Sequence, residues 1–178
     1  RIAMETLKRY PWAGKEKAVT PAPEYVFNGH WKIDDEGTIA ADVVKDWNNG
    51  DLSQRAAHLI GSLIDYYAYS GDPAVFMPIT AMADYLLDYC QTDDAHGWPK
   101  MLISVPTYGT HYGRCRLGPS EVLKDGQGKI QLDNLAQAGL QFVRASELTG
   151  NTRWYEAARH WADLIARNRD RRTGMPPW

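Results

Sequence analysis

Eight residues in the middle of the chain, Thr107-Tyr-Gly-Thr-His-Tyr-Gly-Arg114, hold its densest set of groups able to do chemistry. A guanidinium can neutralise a carboxylate on a ligand and so lower the cost of removing a proton from the carbon beside it. A histidine or a phenol can take that proton, and a second such group can deliver one to a leaving oxygen. Arg114, His111 and the tyrosines Tyr108 and Tyr112 supply those roles on one glycine-flanked loop. Together they are the groups that β-elimination from a uronic acid requires. The same residues also compose an ordinary aromatic loop with a solvated histidine, and spacing alone does not separate the two readings.

A second candidate is Asp133, with Asn134 beside it. Hydrolysis of a glycoside needs a general acid together with a base or nucleophile, supplied by two carboxylates. Asp133 would be one, and Asp51, Asp94 or Glu121 could be the other. Asp133 also stands where a helix N-cap or first-turn acid belongs, and capping is expected to be at least part of its role. Trp98 and Tyr108 could stack on sugar rings, whose apolar faces favour aromatic platforms, and Trp12, Trp31, Trp47 and Trp178 have the same option. His58 and His160 are expected to be structural. Asp93-Asp94-Ala95-His96 has metal-ligand residue types but reads as a solvated turn. No zinc pattern, phosphate loop or Gly-x-Ser-x-Gly elbow is present, so no metal or cofactor is expected.

The elements that must position these residues come from an internal repeat. Gly71 and Gly150 stand 79 residues apart, in the turns Ser70-Gly71-Asp72 and Thr149-Gly150-Asn151. At that offset Phe76 falls on Tyr155, Met82 on Trp161 and Ala83-Asp84 on Ala162-Asp163. Helical spacing of Leu59, Leu63, Tyr66 and Tyr67 predicts a helix over 52–69. Gly71 can end it in the left-handed conformation, and Asp72 with Pro73 can start the next, which runs to about residue 90. Ile79, Met82, Ala83, Leu86 and Leu87, with Phe76, form its apolar face. The second unit predicts helices over 132–148 and 152–165, with Asn151 as cap. Trp154, Ala158, Trp161, Ala162 and Ile165 are its expected buried stripe.

Between the hairpins, residues 91–130 are too rich in glycine and proline for helix, with a short strand expected over 101–105. A connection of that length is unusual unless it is functional. Residues 20–44 are a second irregular segment, in which 31–37 resembles a turn between extended pieces. The division is therefore an irregular segment over 1–50 and two helical hairpins over 51–178.

Hairpins joined by Ser/Thr-Gly-Asp/Asn turns, with Trp154-Tyr-Glu-Ala-Ala158 in the second helix and long loops between, resemble the six-hairpin glycosidase and polysaccharide-lyase toroids. His96-Gly-Trp-Pro99 is similar to the Gly-Trp-Pro of some pectate-lyase toroids, and Leu132-Asp-Asn134 to the acidic opening of inner helices in unsaturated glucuronyl hydrolases. The resemblance covers roughly residues 51–170. It implies an all-α, α/α-toroid fold, a polysaccharide or oligosaccharide substrate lying over the inner-helix N-termini, catalytic roles for the 107–114 loop and Asp133, substrate contacts from Trp98 and Asn134, and a secreted or periplasmic location. A lyase stands ahead of a glycoside hydrolase. A non-catalytic helical-repeat scaffold is the third reading, opposed by the long period and long loop.

Six such hairpins need several times this length, and residues 1–10 read as the end of a helix while Met175-Pro-Pro-Trp178 reads as a loop leading on. The chain is accordingly expected to be a piece of a toroid whose remainder is its partner. A formal net charge of −2 gives no reason to expect nucleic acid or an anionic membrane, and no apolar run is long enough for a spanning helix. Cys90 and Cys115 carry no disulfide framework and are expected to be unpaired.

Overall fold

A computed structural model describes residues 30–33, 35–36, 39–42, 52–103 and 130–176. These residues are predominantly helical, with four helices packed together and one two-stranded antiparallel hairpin. Strands β1 (His30–Ile33) and β2 (Ile39–Asp42) pair in the register Trp31 opposite Ala41, with exposed Asp35 and Glu36 in the turn. Two extended pieces joined by a turn are what the sequence predicts here, but the turn is shorter than 31–37, because residues 31–33 belong to β1.

Helices α1 (Leu52–Ser70) and α2 (Phe76–Tyr89) form the first helical hairpin, and α3 (Leu132–Thr149) and α4 (Thr152–Arg167) the second. The two turns are built from the same bonds. Ser70 Oγ donates to Tyr66 O at 2.7 Å, and Thr149 Oγ1 donates to Ala145 O at 2.7 Å. Gly71 N donates to Tyr67 O and Gly150 N to Ser146 O, each at 2.8 Å. The Asp72 carboxylate accepts from Ala74 N at 3.0 Å, and the Asn151 amide oxygen from Arg153 N at 3.1 Å. In every pair the partners stand at the repeat offset. Local chemistry alone therefore dictates both turns: a hydroxyl closes the last helical turn, a glycine reverses the chain, and an Asx side chain caps the next helix.

Gly71 and Gly150 adopt φ of 65° and 76°, a region that costs an L-residue about 1–2 kcal/mol. No atom lies within 4 Å of a Cβ added at Gly150, so the cost is conformational alone. Gly150→Ala should lower the unfolding free energy by about 1 kcal/mol, and Gly150→Asn by less, as read from urea midpoints at unchanged slope.

One difference separates the units. The first opens its second helix through a 3-10 turn, Pro73–Val75, whereas α4 is α-helical from Thr152. Pro78 stands where the second unit has Ala157. It has no N–H to give to Ala74 O, so the i to i−4 pairing cannot start there.

The core lies between the layers. Ile60 and Leu63 of α1, Ile79, Met82 and Leu86 of α2, Phe142 of α3, and Trp154 and Trp161 of α4 are buried. Phe142 and Trp161 meet with ring centroids 5.3 Å apart. Helix α1 packs on α2 and on α3, and α3 packs on α4. Two bonds set the direction of α3. His58 Nε2 lies 3.0 Å from Gln137 Oε1, and Arg144 reaches Asp65 at 2.5 Å, each pair separated by 79 residues. Repeat-equivalent residues thus meet at two points in the same order, so α1 and α3 run parallel in register. His58 is structural, as anticipated.

Between α2 and α4, Trp154 Nε1 donates to Asp84 Oδ1 at 2.9 Å and Arg153 pairs with Asp84 and Asp88. Asp84→Ala would leave the buried indole N–H without an acceptor, costing about 1–3 kcal/mol. Asp84→Asn, which keeps an acceptor, should recover most of that in a denaturant titration.

Two expectations need correction. Ala162 is exposed and Ile165 only half-buried, so the buried stripe of α4 is Trp154, Ala158 and Trp161. The strand expected over 101–105 is, within the described residues, a single antiparallel bridge between Gln91 and Leu102. Cys90 is a fully buried thiol whose pKa is pushed well above 9.0 by desolvation, which keeps it protonated and unreactive. Cys115 lies outside the described residues. After α4, the Asp170 carboxylate accepts from the Thr173 N–H and hydroxyl and from Arg172 N–H, bonds that hold its pKa below 3.8.

Candidate functional site

A parallel α1 and α3, each followed by an antiparallel partner, puts the N-termini of α1 and α3 and the C-termini of α2 and α4 at one end of the bundle. Residues 103 and 130, between which the Tyr/His/Arg segment runs, lie at that end. Tyr108, His111, Tyr112 and Arg114 themselves lie outside the described residues, as do Asp51 and Glu121.

What the chain builds before residue 104 is a closed clasp. Thr92 N donates to Met101 O at 2.8 Å and Ile103 N to Cys90 O at 2.9 Å. Thr92, itself buried, is the hub: its hydroxyl donates to Trp98 O at 2.6 Å and accepts from Met101 N at 2.9 Å. Met101, Leu102 and Ile103 are buried and plug the end of the core. The clasp is held to the second hairpin by Trp161 Nε1, which donates to Lys100 O at 2.8 Å, and by His160 Nε2, 2.9 Å from Pro99 O. His160 thus has the structural role expected of it.

Trp98 is half-buried and packs against the core, so the clasp fixes its ring at the edge of this end. Trp98 N donates to His96 Nδ1 at 3.0 Å, a bond that fits the tautomer with its N–H on Nε2. Trp98 O, also 3.0 Å from Nδ1, is then satisfied by Thr92 rather than by the imidazole. The Asp93 carboxylate accepts from Ala95 N at 3.0 Å, and exposed Asp94 pairs with Lys100 at 3.2 Å. The tetrad 93–96 is accordingly a hydrogen-bonded turn, and no group of three or more metal-ligating side chains occurs among the described residues.

At the mouth of α3 the cap residue is Gln131, with extended backbone, and Asp133 is a first-turn acid. Asp133 is exposed and accepts no hydrogen bond among the described residues. Asn134 is buried and donates from Nδ2 to Gln131 Oε1 at 2.6 Å, which commits one of its donors to holding the start of the helix. Thr92 is the structural hub of this end that sequence reasoning passed over. A lone threonine in a polar run carries no signal of burial, and only its position opposite Met101 makes it a hub.

No helix among the described residues is long and apolar enough to cross a membrane. No family model matches the chain, and no characterised protein or solved structure matches it either.

Proposed function

We propose that the chain is part of an α/α toroid that cleaves uronic-acid-containing polysaccharide by β-elimination. The observation that carries this reading is the parallel, in-register stacking of α1 and α3 through His58–Gln137 and Asp65–Arg144. It is the arrangement of neighbouring inner helices in such a ring, and it gathers the inner-helix mouths, the Trp98 clasp and both ends of the 104–129 segment at one face. In the reaction, Arg114 pairs with the uronate carboxylate. His111 or one of the tyrosines removes the C5 proton, the C4–O bond breaks as the C4–C5 double bond forms, and a second group protonates the departing oxygen. Trp98 provides a stacking edge for a sugar ring. The remaining hairpins of the ring complete the cleft, and a substrate of this kind suits a secreted or periplasmic protein.

A glycoside hydrolase is the second reading, favoured by the exposed carboxylate of Asp133 at the mouth of α3. One assay separates them. Incubated with polygalacturonate, alginate or a glucuronan, a lyase yields an unsaturated uronate that absorbs in the ultraviolet. New reducing ends without that absorbance indicate hydrolysis, and neither signal on any of these glycans overturns the lyase reading.

A further inference from the structure

The two hairpins match in sequence and in turn geometry but differ in what covers them. On α1, Ala57, Gly61 and Ile64 form one buried stripe, and a Cβ at Gly61 would meet the Gln141 side chain of α3 at 3.0 Å. The repeat-equivalent stripe on α3 is Ala136, Leu140 and Val143. There Ala136 is exposed, Val143 is half-buried, and Leu140 is 59% exposed. The outer layer shows the same contrast: Ala83 and Leu87 of α2 are buried, whereas Ala162 and Ala166 of α4 are exposed. Asp84 holds the Trp154 indole and the Arg153 guanidinium. Its equivalent, Asp163, is exposed and has no partner among the described residues.

We infer that this flank of the second hairpin docks a third helical hairpin of the same repeat, one whose outer helix opens with a cation and an indole that meet Asp163. The inference rests on the repeat, not on the reaction assigned above. The relation that carries the first hairpin onto the second is fixed by the pairs His58–Gln137 and Asp65–Arg144. Applied once more, it lays an inner helix along Ala136, Leu140 and Val143 and sets the first turn of an outer helix against Asp163. Ala136, Ala162 and Ala166 are small, but Leu140 stands where Gly61 does, so a glutamine in the place of Gln141 must turn its flexible end aside to seat the third hairpin. The chemistry of the occupant follows from Asp163. A second copy of this chain docking through its first hairpin would place Ala74 and Val75, the equivalents of Arg153 and Trp154, against that carboxylate and bury it unpaired. A hairpin of the α3–α4 type brings the cation and the indole.

The test extends the full chain by a second copy of residues 100–176, which continues the 79-residue period without a break. The copy carries Arg144→Glu, so that its inner helix presents an acid to Arg144. Leu140→Asp and Asp163→Ala are then made at the original positions in both the extended and the 178-residue protein. In the shorter protein Asp163 is solvated and Leu140 largely so, and the thermal midpoint should move by no more than about 1–2 °C. In the extended protein each should lower it, Leu140→Asp by about 4 °C or more, and amides of the added helices should be protected from hydrogen exchange. Equal effects in the two proteins, or added helices without protection, would overturn the inference. So would self-association of the 178-residue protein that Leu140→Asp abolishes, because the face would then belong to a second copy.

Discussion

Trp161→Ala should destabilise the protein by about 3–5 kcal/mol, the usual range for removing a buried aromatic ring. Trp161 is 1% exposed and touches three parts of the molecule. Its ring packs on Phe142, it lies 3.7 Å from the position a Cβ would take on Gly139, and its indole N–H holds Lys100 O at 2.8 Å. Truncation opens a cavity between α3 and α4 and at the same time releases the clasp that carries Trp98. Trp161→Phe isolates the second effect. It keeps most of the ring contact but leaves Lys100 O with Gln91 Nε2, its other donor at 3.2 Å, and should cost about 1 kcal/mol for the lost bond plus a smaller packing term. Urea denaturation of the two variants gives the split, and equal losses would show that the indole bond, not the ring, carries the contribution.

The largest effect on activity is expected from replacing Tyr108, His111 and Arg114 together by alanine. General acid–base groups contribute on the order of 10²–10⁴ in rate, and a carboxylate-neutralising arginine adds to that by stabilising the charge that builds up as the proton leaves. Under the proposed lyase reading, the triple variant should therefore lose at least about 10³-fold of glycan cleavage while keeping its thermal midpoint. Retention of cleavage would remove the loop from the reaction and shift attention to Asp133. Loss of cleavage with retained binding to a glycan column separates a catalytic loop from one that only holds substrate.

The helices and both turns could be read from sequence because each rests on bonds within a few residues. The sequence reading of 52–69 and 132–148 falls short of α1 and α3 by a single residue at the C-terminal end, where Ser70 and Thr149 close their own last turns. Properties that depend on a neighbouring hairpin were not legible. Ala162 has the helical spacing of a core residue, yet it is solvated: its counterpart Ala83 lies on a flank that the second hairpin covers, and no described residue covers the same flank of α4. Asp84 gave no sign that it would anchor Trp154, since its partners come from the other end of the chain. The clasp is an intermediate case: Met101 to Ile103 are apolar enough to suggest a strand, but they pair with 90–92 for one bridge and otherwise serve as a plug. For the candidate site, residue types named the chemistry, and the fold supplied the common end of the bundle.

The duplicated turns also bear on how the chain folds. Each turn closes over a handful of residues and assembles from hydroxyl, glycine and Asx groups already adjacent, so each hairpin can form on its own at small entropic cost. The pairs that join the hairpins close a span of 79 residues, and contacts at such separations form late. Two early, independent nuclei followed by slow docking is the expected sequence of events. Weakening a turn should slow refolding in the hairpin that contains it, whereas breaking Asp65–Arg144 or His58–Gln137 should leave refolding nearly unchanged and speed unfolding instead.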